Sequence, residues 1–334
     1  MSEAPLPLDA TPPQVSLVVP LYNEADNVAP LVQDVFAAMA AQSRSWELVL
    51  VDDGSADDTP KRLTEQHDAH PDRVRVLTLQ RNFGQTAAMQ AGIDVAQGEV
   101  VVTLDGDLQN DPADIPAMVD RLLAEDLDLL AGWRKNRKDN RWLRTIPSRI
   151  ANRLIGKATK VYLHDYGCSL KVFRGSVIRG VRLYGEMHRF IPAWISVYTS
   201  PNRIREQVVN HRPRVHGVSK YGLSRTFRVI VDLLAVYFFL RFLTKPGHFF
   251  GRIGLAFGAL GGAALGYLFL LKLFVGEDIG GRPLLLAGIM LVLMAVQFLT
   301  TGVLAELLTR TYFATSRTCP YVIRYDSHAP DLAR

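Results

Sequence analysis

Residues 100–107 have the sequence VVVTLDGD, in which four β-branched residues and a leucine are followed by Asp105, Gly106 and Asp107. An apolar run of this length, bounded by turn formers, is typical of a strand buried on both faces of a parallel sheet. Ligands of open α/β sheets bind beyond the carboxyl ends of the strands. The two acids therefore stand where such a sheet would bind its ligand.

Other strands and helices alternate with this strand along the first part of the chain. The other predicted strands are Val15–Pro20, Trp46–Asp52, Val74–Leu79 and Leu127–Gly132, and the run 100–107 gives Val100–Leu104. The predicted helices are Asn27–Ala41, Thr59–His67, Gln85–Ala96 and Pro112–Ala124. Pro60 and Pro112 lie in first turns, where proline favours helix initiation. The alternation predicts an α/β fold with a mostly parallel, Rossmann-like sheet.

Two more strands end in acids and turn formers. The sequence DDGS occupies residues 52–55, and PLYNE occupies residues 20–24. Each motif alone also fits an ordinary loop. Three such strand ends in one sheet instead predict a nucleotide-shaped site, with Tyr22 to cover a base and Asp53 to bind base or ribose.

The spacing of the DGD acids indicates a cation. Residues i and i+2 of an extended chain share a face, so Asp105 and Asp107 can approach one diphosphate together. Mg²⁺ or Mn²⁺ takes hard oxygen ligands, commonly one or two carboxylates plus substrate phosphates. The sequence therefore predicts Mg²⁺ or Mn²⁺ at this strand end.

The net charge of +5 is unevenly distributed, since residues 134–160 hold ten Lys or Arg and one acid, Asp139. Such a block attracts polyanions, and nucleic acid and lipid phosphate are the alternatives. The apolar segments that follow favour a membrane surface over nucleic acid. Cys168 and Cys319 are the two cysteines, without metal-ligand spacing, which fits a reducing cytoplasm.

The last third of the chain contains two long apolar segments. Ile253–Val275 has one charge, Lys272, and Leu284–Leu304 has none. Each is long enough to cross a bilayer. The connector is acidic, at Glu277 and Asp278, and the outer flanks carry Arg and Lys, so the positive-inside rule places both flanks in the cytoplasm.

A shorter apolar stretch, Ser224–Leu243, contains Asp232 and precedes the two long segments. Its uninterrupted part is short for a span, so we expect an interfacial helix. A third span is the alternative, and it would invert the helices that follow. Gly258, Gly262 and Gly266 form a small-xxx-small pattern that either packs the two spans together or joins subunits of a homo-oligomer.

The chain resembles the family-two inverting glycosyltransferases, and within them the dolichyl-phosphate mannose synthase-like, polyprenyl-phosphate sugar transferases with bacterial membrane anchors. The resemblance rests on the order and spacing of VSLVVPLYNEADNV, ELVLVDDGSADDT, QRNFGQTAAMQAGID, VVTLDGDLQNDP, GWRKNRKD, LHDYGCSLKVFR, GEMHRFIPA and HRPRVHGVSKYG. It implies a nucleotide-sugar-binding domain of GT-A type. It also implies an integral protein of the bacterial inner membrane with a cytoplasmic catalytic domain.

The resemblance assigns roles to particular residues. Donor contacts are implied at Pro20, Tyr22, Glu24, Asp53, Asp105, Gly106, Gln109 and Arg134, with Asp105, Asp107 and Gln109 around the metal. Catalytic roles are implied for Asp105, Asp107 and Asp165, and Arg214 and Lys220 are implied near the diphosphate or the acceptor phosphate. We expect the acceptor phosphate to meet Arg214 and Lys220 together with Arg144 and Ser148. Arg offers a fork for phosphate oxygens and Lys a compact charge, which suits these roles. Asp165 acts either as a base or as a residue that orients the acceptor.

These features predict transfer of a sugar from a nucleotide sugar to polyprenyl phosphate, such as undecaprenyl phosphate, with inversion. UDP-sugars are favoured over GDP-mannose. One alternative is a processive polysaccharide synthase. Such enzymes have a Q-x-x-R-W motif, and the similar run Lys138–Trp142 lacks its Gln, which disfavours this alternative. The other alternative is a non-catalytic membrane scaffold that binds nucleotide sugar.

The expected organisation has five parts. They are a disordered N-terminus (1–14) without signal-peptide character, a catalytic domain (15–223), a juxtamembrane amphipathic helix (224–248), a two-helix transmembrane hairpin (249–310) and a cytoplasmic C-terminal tail (311–334).

Overall fold

The computed structural model describes residues 12–135, 155–156, 159–183, 187–213, 246–315 and 323–328. The chain divides into two units, one formed by residues 1–236 together with 319–334 and the other by residues 237–318. The first unit holds an eight-stranded sheet, and the second holds two long helices.

The strands and helices alternate as the sequence predicts. The strands are β1 (Val15–Leu21), β2 (Trp46–Asp52), β3 (Val74–Leu79), β4 (Val100–Thr103), β5 (Leu129–Trp133), β6 (Lys171–Arg174), β7 (Ile204–Val208) and β8 (Ile323–Asp326). The helices are α1 (Ala25–Met39), α2 (Thr59–Ala69), α3 (Gln85–Val95), α4 (Ile115–Ala124), α5 (Gly175–Ile178), α6 (Ile191–Ile195), α7 (Pro246–Val275) and α8 (Pro283–Thr315). Short 3-10 turns occupy Pro112–Asp114, Met187–Phe190 and Pro201–Arg203.

The strand order is β7-β5-β6-β4-β1-β2-β3-β8. Strands β4, β1, β2 and β3 are mutually parallel, as are β5 and β7, whereas β6 and β8 run antiparallel to their neighbours. Val18 of β1 lies opposite both Val49 and Thr103, so the central strands share one register. Their carboxyl ends therefore meet at one edge, and the predicted mostly parallel sheet is confirmed.

Helix α3 packs unusually close to the sheet. A Cβ atom built on Gly92 would lie 2.3 Å from Cγ1 of Val18 and 3.0 Å from Cγ2 of Val51. Only glycine allows this approach without displacement of the strand side chains. The close contact fixes the helix against β1 and β2 and so fixes its first residue, Gln85, at the carboxyl edge.

The apolar pattern of the sequence does not predict strands β6, β7 and β8. They are four or five residues long and have the sequences KVFR, IREQV and IRYD. Charged residues interrupt the apolar pattern of each, so periodicity gives no strand signal. Strand β8 pairs with β3 and places residues of the predicted C-terminal tail in the sheet.

The second unit exposes apolar side chains along both helices. Leu255, Phe274 and Leu308 are 68%, 77% and 70% exposed. Apolar surface of this extent is unusual on a soluble protein and needs an apolar environment. The stretches Phe249–Val275 and Pro283–Ala305, of 27 and 23 residues, are long and apolar enough to cross a membrane. These helices are the two candidate membrane spans that the sequence predicts.

The glycines between α7 and α8 differ from the predicted set. A Cβ on Gly261 would lie 2.9 Å from the Gly288 carbonyl oxygen, and one on Gly254 would lie 3.0 Å from the Ala295 carbonyl oxygen. A Cβ on Gly262 or Gly266 would meet no atom within 4 Å in the described structure. Of the three predicted glycines, Gly258 contacts α8, since a Cβ there would lie 3.4 Å from Ala295 Cβ, whereas Gly262 and Gly266 do not pack the two helices together. The alternative, that this face joins subunits, stays a prediction.

We expect Gly261→Leu to destabilise the protein in detergent, because the added side chain collides with the backbone of α8. Overpacking of this kind costs about 1–3 kcal/mol. The matched variant Gly262→Leu adds the same atoms to the open side of α7 and should leave the midpoint of thermal unfolding unchanged. Equal losses in the two variants would contradict this arrangement of the helices.

Candidate active site

Loops that follow four neighbouring strands line a half-open cavity of about 300 Å³ at the carboxyl edge of the sheet. Its walls come from the ends of β1, β2, β3 and β4. The lining residues are Pro20, Leu21, Tyr22, Glu24, Asp53, Asn82, Gly84, Gln85, Asp105, Gly106 and Asp107. The structure thus brings together the predicted donor residues of the three acidic strand ends.

Asp53 joins the loop after β2 to the loop after β3. Its carboxylate accepts hydrogen bonds from the backbone N–H groups of Phe83 at 2.8 Å and Gly84 at 2.9 Å. Burial raises the pKa of Asp53, and these two N–H groups partly offset the shift. Gly54 has φ +67°, and a Cβ there would lie 2.4 Å from the Arg81 backbone. The two loops are therefore fixed against each other.

The loop after β1 is held by side chains of the loop after β2. The N–H of Asn23 donates to Ser55 Oγ at 2.9 Å, and the N–H of Glu24 donates to Thr59 Oγ1 at 2.9 Å. Asn23, at φ 54°, returns a contact through its side-chain oxygen, which accepts from the Ala56 N–H. These contacts hold Glu24 and the 40% exposed ring of Tyr22 at the cavity.

The two acids of the DGD run follow β4 directly. Gln85 Nε2 donates to Asp105 Oδ1 at 2.7 Å, and Asp107 Oδ1 accepts the N–H of Gln109 at 3.2 Å. Burial raises the pKa of Asp105, and the charge of Asp107 raises it further. A divalent cation between the carboxylates would remove this repulsion.

The donor set of the cavity fits such a cation. Asp105 and Asp107 both line the cavity and supply hard oxygen atoms. Within the described ranges, no group of three or more His, Cys, Asp or Glu residues could hold a metal ion. A pair of carboxylates that shares its cation with substrate phosphates is the usual arrangement for Mg²⁺.

Asp165 and Arg134 form an ion pair beside the DGD acids. Arg134 donates from Nε to Asp165 Oδ2 at 2.7 Å and from Nη2 to Oδ1 at 3.0 Å, and each side chain is 11% exposed. Burial alone would lower the pKa of Arg134, but the hydrogen bond and charge of Asp165 raise it overall. The charge of Arg134 also acts on Asp105. The pair is therefore a bidentate, charge-assisted contact whose cation lies close enough to act on Asp105.

The structure does not cover every predicted site residue. Arg144, Ser148, Arg214 and Lys220 lie outside the described residues. Gln109 is described, and its carbonyl oxygen accepts the N–H of Arg212 at 2.8 Å. Its predicted contact with a metal stays a prediction.

Three polar or charged residues at the site, Asn82, Gln85 and Lys171, have no role in the sequence predictions. Asn82 lies in the loop after β3, Gln85 is the first residue of α3, and Lys171 begins β6 beside the DGD acids. The acid motifs draw attention to the other strand ends, while QRNFGQ carries no acid. The sequence does contain one signal for Asn82 and Gln85: they follow the end of a predicted strand and flank Gly84, at the start of a predicted helix.

Comparisons with known proteins agree with this geometry. The family model described as glycosyl transferase family 2 matches residues 16–182. A dodecaprenyl-phosphate galacturonate synthase of Rhizobium johnstonii is 56% identical over 93% of this chain and 92% of its own. An undecaprenyl-phosphate 4-deoxy-4-formamido-L-arabinose transferase of Aeromonas hydrophila subsp. hydrophila is 34% identical over 89% of each chain.

Among solved structures, glucosyl-3-phosphoglycerate synthase from Mycobacterium tuberculosis in complex with Mn²⁺ and uridine-diphosphate-glucose is similar in fold. Its TM-score is 0.50 at 18% identity, and the match covers 67% of this chain and 79% of that chain. With its mostly parallel sheet and its DGD strand end, the chain is a glycosyltransferase that belongs to glycosyl transferase family 2.

Proposed function

We propose that the protein transfers one sugar from a UDP-sugar to a polyprenyl phosphate with inversion. The product is a polyprenyl-phosphate monosaccharide with a β-linkage, together with a nucleoside diphosphate. The observation that carries the proposal is the single cavity in which Asp105 and Asp107 face Tyr22, Glu24 and Asp53. The acids suit a diphosphate with its cation, and the other three suit a nucleoside.

In this reaction, an oxygen of the lipid phosphate forms a bond to the anomeric carbon while the bond from that carbon to the diphosphate breaks. The electron pair of the broken bond leaves with the nucleoside diphosphate. A divalent cation, when bound, supplies charge stabilisation to this leaving group. Asp105 and Asp107 would hold that cation.

The acceptor needs no strong base, because a phosphate monoester is largely ionised near neutral pH. Asp165 would then orient rather than deprotonate. Its two carboxylate oxygens accept from Arg134, which supports this role. The contribution of the pair is to position charge for in-line attack.

The relatives favour a particular sugar and lipid. The 56% identical relative is named for galacturonate and dodecaprenyl phosphate, and the 34% identical one for a formamido-arabinose and undecaprenyl phosphate. We therefore propose galacturonate, carried by UDP, as the donor sugar. The formamido-arabinose derivative is the second candidate to test.

The test is to incubate purified protein with dodecaprenyl or undecaprenyl phosphate, Mn²⁺ and separate nucleotide sugars, and to detect glycolipids by mass. UDP-galacturonate should give a product heavier than the lipid phosphate by one uronosyl residue, that is, a uronic acid less one water. The panel also includes UDP-glucose, UDP-N-acetylglucosamine, the UDP-aminoarabinose derivative and GDP-mannose. Absence of any glycolipid with every donor would refute the proposed function.

We expect transfer to need a divalent cation and both acids of the DGD run. Asp107→Asn keeps the size of the side chain but removes its charge, so turnover should fall by roughly a hundredfold or more. EDTA should abolish the activity of the wild-type protein, and added Mg²⁺ or Mn²⁺ should restore it. The exposed control Asp120→Asn should retain turnover. Full activity of the wild-type protein in EDTA would contradict the prediction.

We expect Asp53→Asn to weaken binding of UDP. The asparagine replaces one accepting oxygen with an NH₂ group, which cannot accept from the backbone N–H of Phe83 or Gly84, so one contact that holds the donor site is lost. A charge-assisted hydrogen bond contributes about 1.5–3 kcal/mol, so the Kd should rise roughly ten- to a hundredfold. Asp58→Asn, an exposed change six residues from the end of β2, is the matched control. Calorimetry with UDP and Mn²⁺ measures both. Equal Kd values for the two variants would remove Asp53 from the donor site.

The acceptor phosphate is proposed to meet Arg214, Lys220, Arg144 and Ser148. These residues flank or precede the apolar segments of the sequence, so a polyprenyl tail could stay in the bilayer while its phosphate reaches them. The basic block 134–160 would add attraction to an anionic lipid surface.

Strand β8 supports a membrane topology with an even number of crossings. It follows the two candidate spans in the sequence and is hydrogen-bonded to β3. A chain that leaves the sheet after β7 and returns to it at β8 must cross the membrane an even number of times. We therefore propose that α7 and α8 are the two crossings, that Ser224–Leu243 lies on the membrane, and that the sheet is cytoplasmic.

We expect membrane-impermeant maleimide, applied to intact spheroplasts, to label Asp278→Cys in the connector. Asp58→Cys should react only after permeabilisation, and both variants are made in a Cys319→Ser background because Cys168 is buried. In the wild-type protein, Cys319 should likewise be protected until permeabilisation. Labelling of Cys319 while Asp58→Cys stays protected would show an odd number of crossings, and labelling of both would place the sheet outside; either result would refute this topology.

A further inference from the structure

Lys171 is a buried lysine at the candidate active site. It is 2% exposed and is the one buried lysine among the residues that the structure describes. Lysine is almost never fully buried unless it is paired, because removing its charge from water is costly. Its position in the fold accounts for the exception. Lys171 opens the reversed strand β6, opposite Thr103 of β4 and Ala131 of β5, beside the strand ends that lead to Asp105 and Arg134.

The ammonium group of Lys171 holds the segment that carries Asp165. Its Nζ donates to the carbonyl oxygen of Cys168, three residues after Asp165. The next two carbonyls also have donors, since Thr103 Oγ1 donates to Ser169 O and the Gly132 N–H donates to Leu170 O, both at 2.9 Å. Three consecutive carbonyl groups are thus fixed from β4, β5 and β6. Lys171 supplies the charged donor and the one nearest to Asp165.

The charges around Lys171 belong to the same edge. Burial lowers the pKa of Lys171, while Cys168, Asp165 and Asp105 raise it and Arg134 lowers it. Asp105 in turn feels the charges of both Lys171 and Arg134. Arg134 is engaged in the bidentate contact with Asp165. Lys171 and Arg134 are therefore the two basic residues that act on Asp105, and Lys171 lies on β6, the strand between β4 and β5.

We propose that Lys171 is a positioning residue for sugar transfer, which through the Cys168 carbonyl holds Asp165 in its bidentate contact with Arg134. This inference rests on the proposed function, because it takes Asp165, which orients the acceptor there, as the residue to be positioned and Arg134 as its partner. The donor cavity is held separately, by the contacts of Asp53 with the loop after β3. Loss of Lys171 should consequently affect turnover and spare nucleotide binding.

The experiment compares Lys171→Met, which removes both charge and donor, with Lys171→Gln, which keeps a donor without the charge. Arg75→Met is the matched control, since it removes a cation that is paired with Asp326 near the amino end of β3, away from the site. Turnover, the KM for the nucleotide sugar and the Kd for UDP with Mn²⁺ are measured for each. Hydrogen exchange of peptides that cover 161–170 reports the segment without any assay of activity.

Lys171→Met should lower kcat at least about tenfold while the KM and the Kd stay within about threefold. Exchange in 161–170 should rise without a matching rise in 80–85. Lys171→Gln should recover most of the lost kcat, and Arg75→Met should lose thermal stability but keep its kcat. The recovery and the local exchange separate positioning from a general loss of stability.

Three results would overturn the assignment. They are a folded Lys171→Met protein with normal kcat, a loss of UDP affinity as large as the loss of kcat, and a Lys171→Gln protein as impaired as Lys171→Met. If Lys171→Met does not fold, Lys171→Gln alone decides, because a kcat far below that of the wild-type protein with unchanged exchange in 161–170 would refute the proposal. A wild-type protein that gives no glycolipid would refute the proposed function instead, and the exchange experiment would still test the contact.

Discussion

Electrostatic repulsion among carboxylates is the constraint on which the site depends. The parallel register of β4, β1 and β2 brings their carboxyl ends to one edge, and the acids that follow them cannot avoid one another. Burial and Asp107 together raise the pKa of Asp105. Such a cluster is stable only with counter-charges, hydrogen-bond donors or a bound cation close by. The structure provides the donors from α3 and the counter-charges from β5 and β6.

The reversed strand β6 is what makes this arrangement achievable. It lies between β4 and β5 and begins where they end, so its first residue and the segment before it cross the functional edge. A parallel strand in that position would bring its amino end to the opposite edge. Because β6 is reversed, Lys171 lies opposite Thr103 and Ala131 at this edge, and the segment before it brings Asp165 to Arg134. One antiparallel strand thereby separates a donor cavity from a neighbouring ion pair.

The sequence predicts the parallel half of the fold well. Strands β2 and β3 have the predicted bounds, because their apolar runs are long and flanked by turn formers. Strand β6 has two charged residues among four, and periodicity cannot reveal that the charge of Lys171 is buried. The acids of the cavity were predicted because aspartate after a buried strand is conspicuous. Gln85 was not, since its role depends on the close packing of α3 that Gly92 permits.

The C-terminal strand shows a dependence that local sequence cannot reveal. Strand β8 covers the edge of β3, where Arg75 donates from Nε and Nη2 to Asp326 at 3.0 and 2.6 Å and the Val76 N–H donates to Ser327 Oγ. It pairs with Leu77–Leu79, immediately before the loop that donates to Asp53. A chain that ended after the second apolar helix would leave this edge unpaired, and an unpaired edge is prone to aggregation. Because β8 completes the sheet after the two apolar helices, those helices are an insertion within the sequence of the catalytic sheet rather than an appendage at its end.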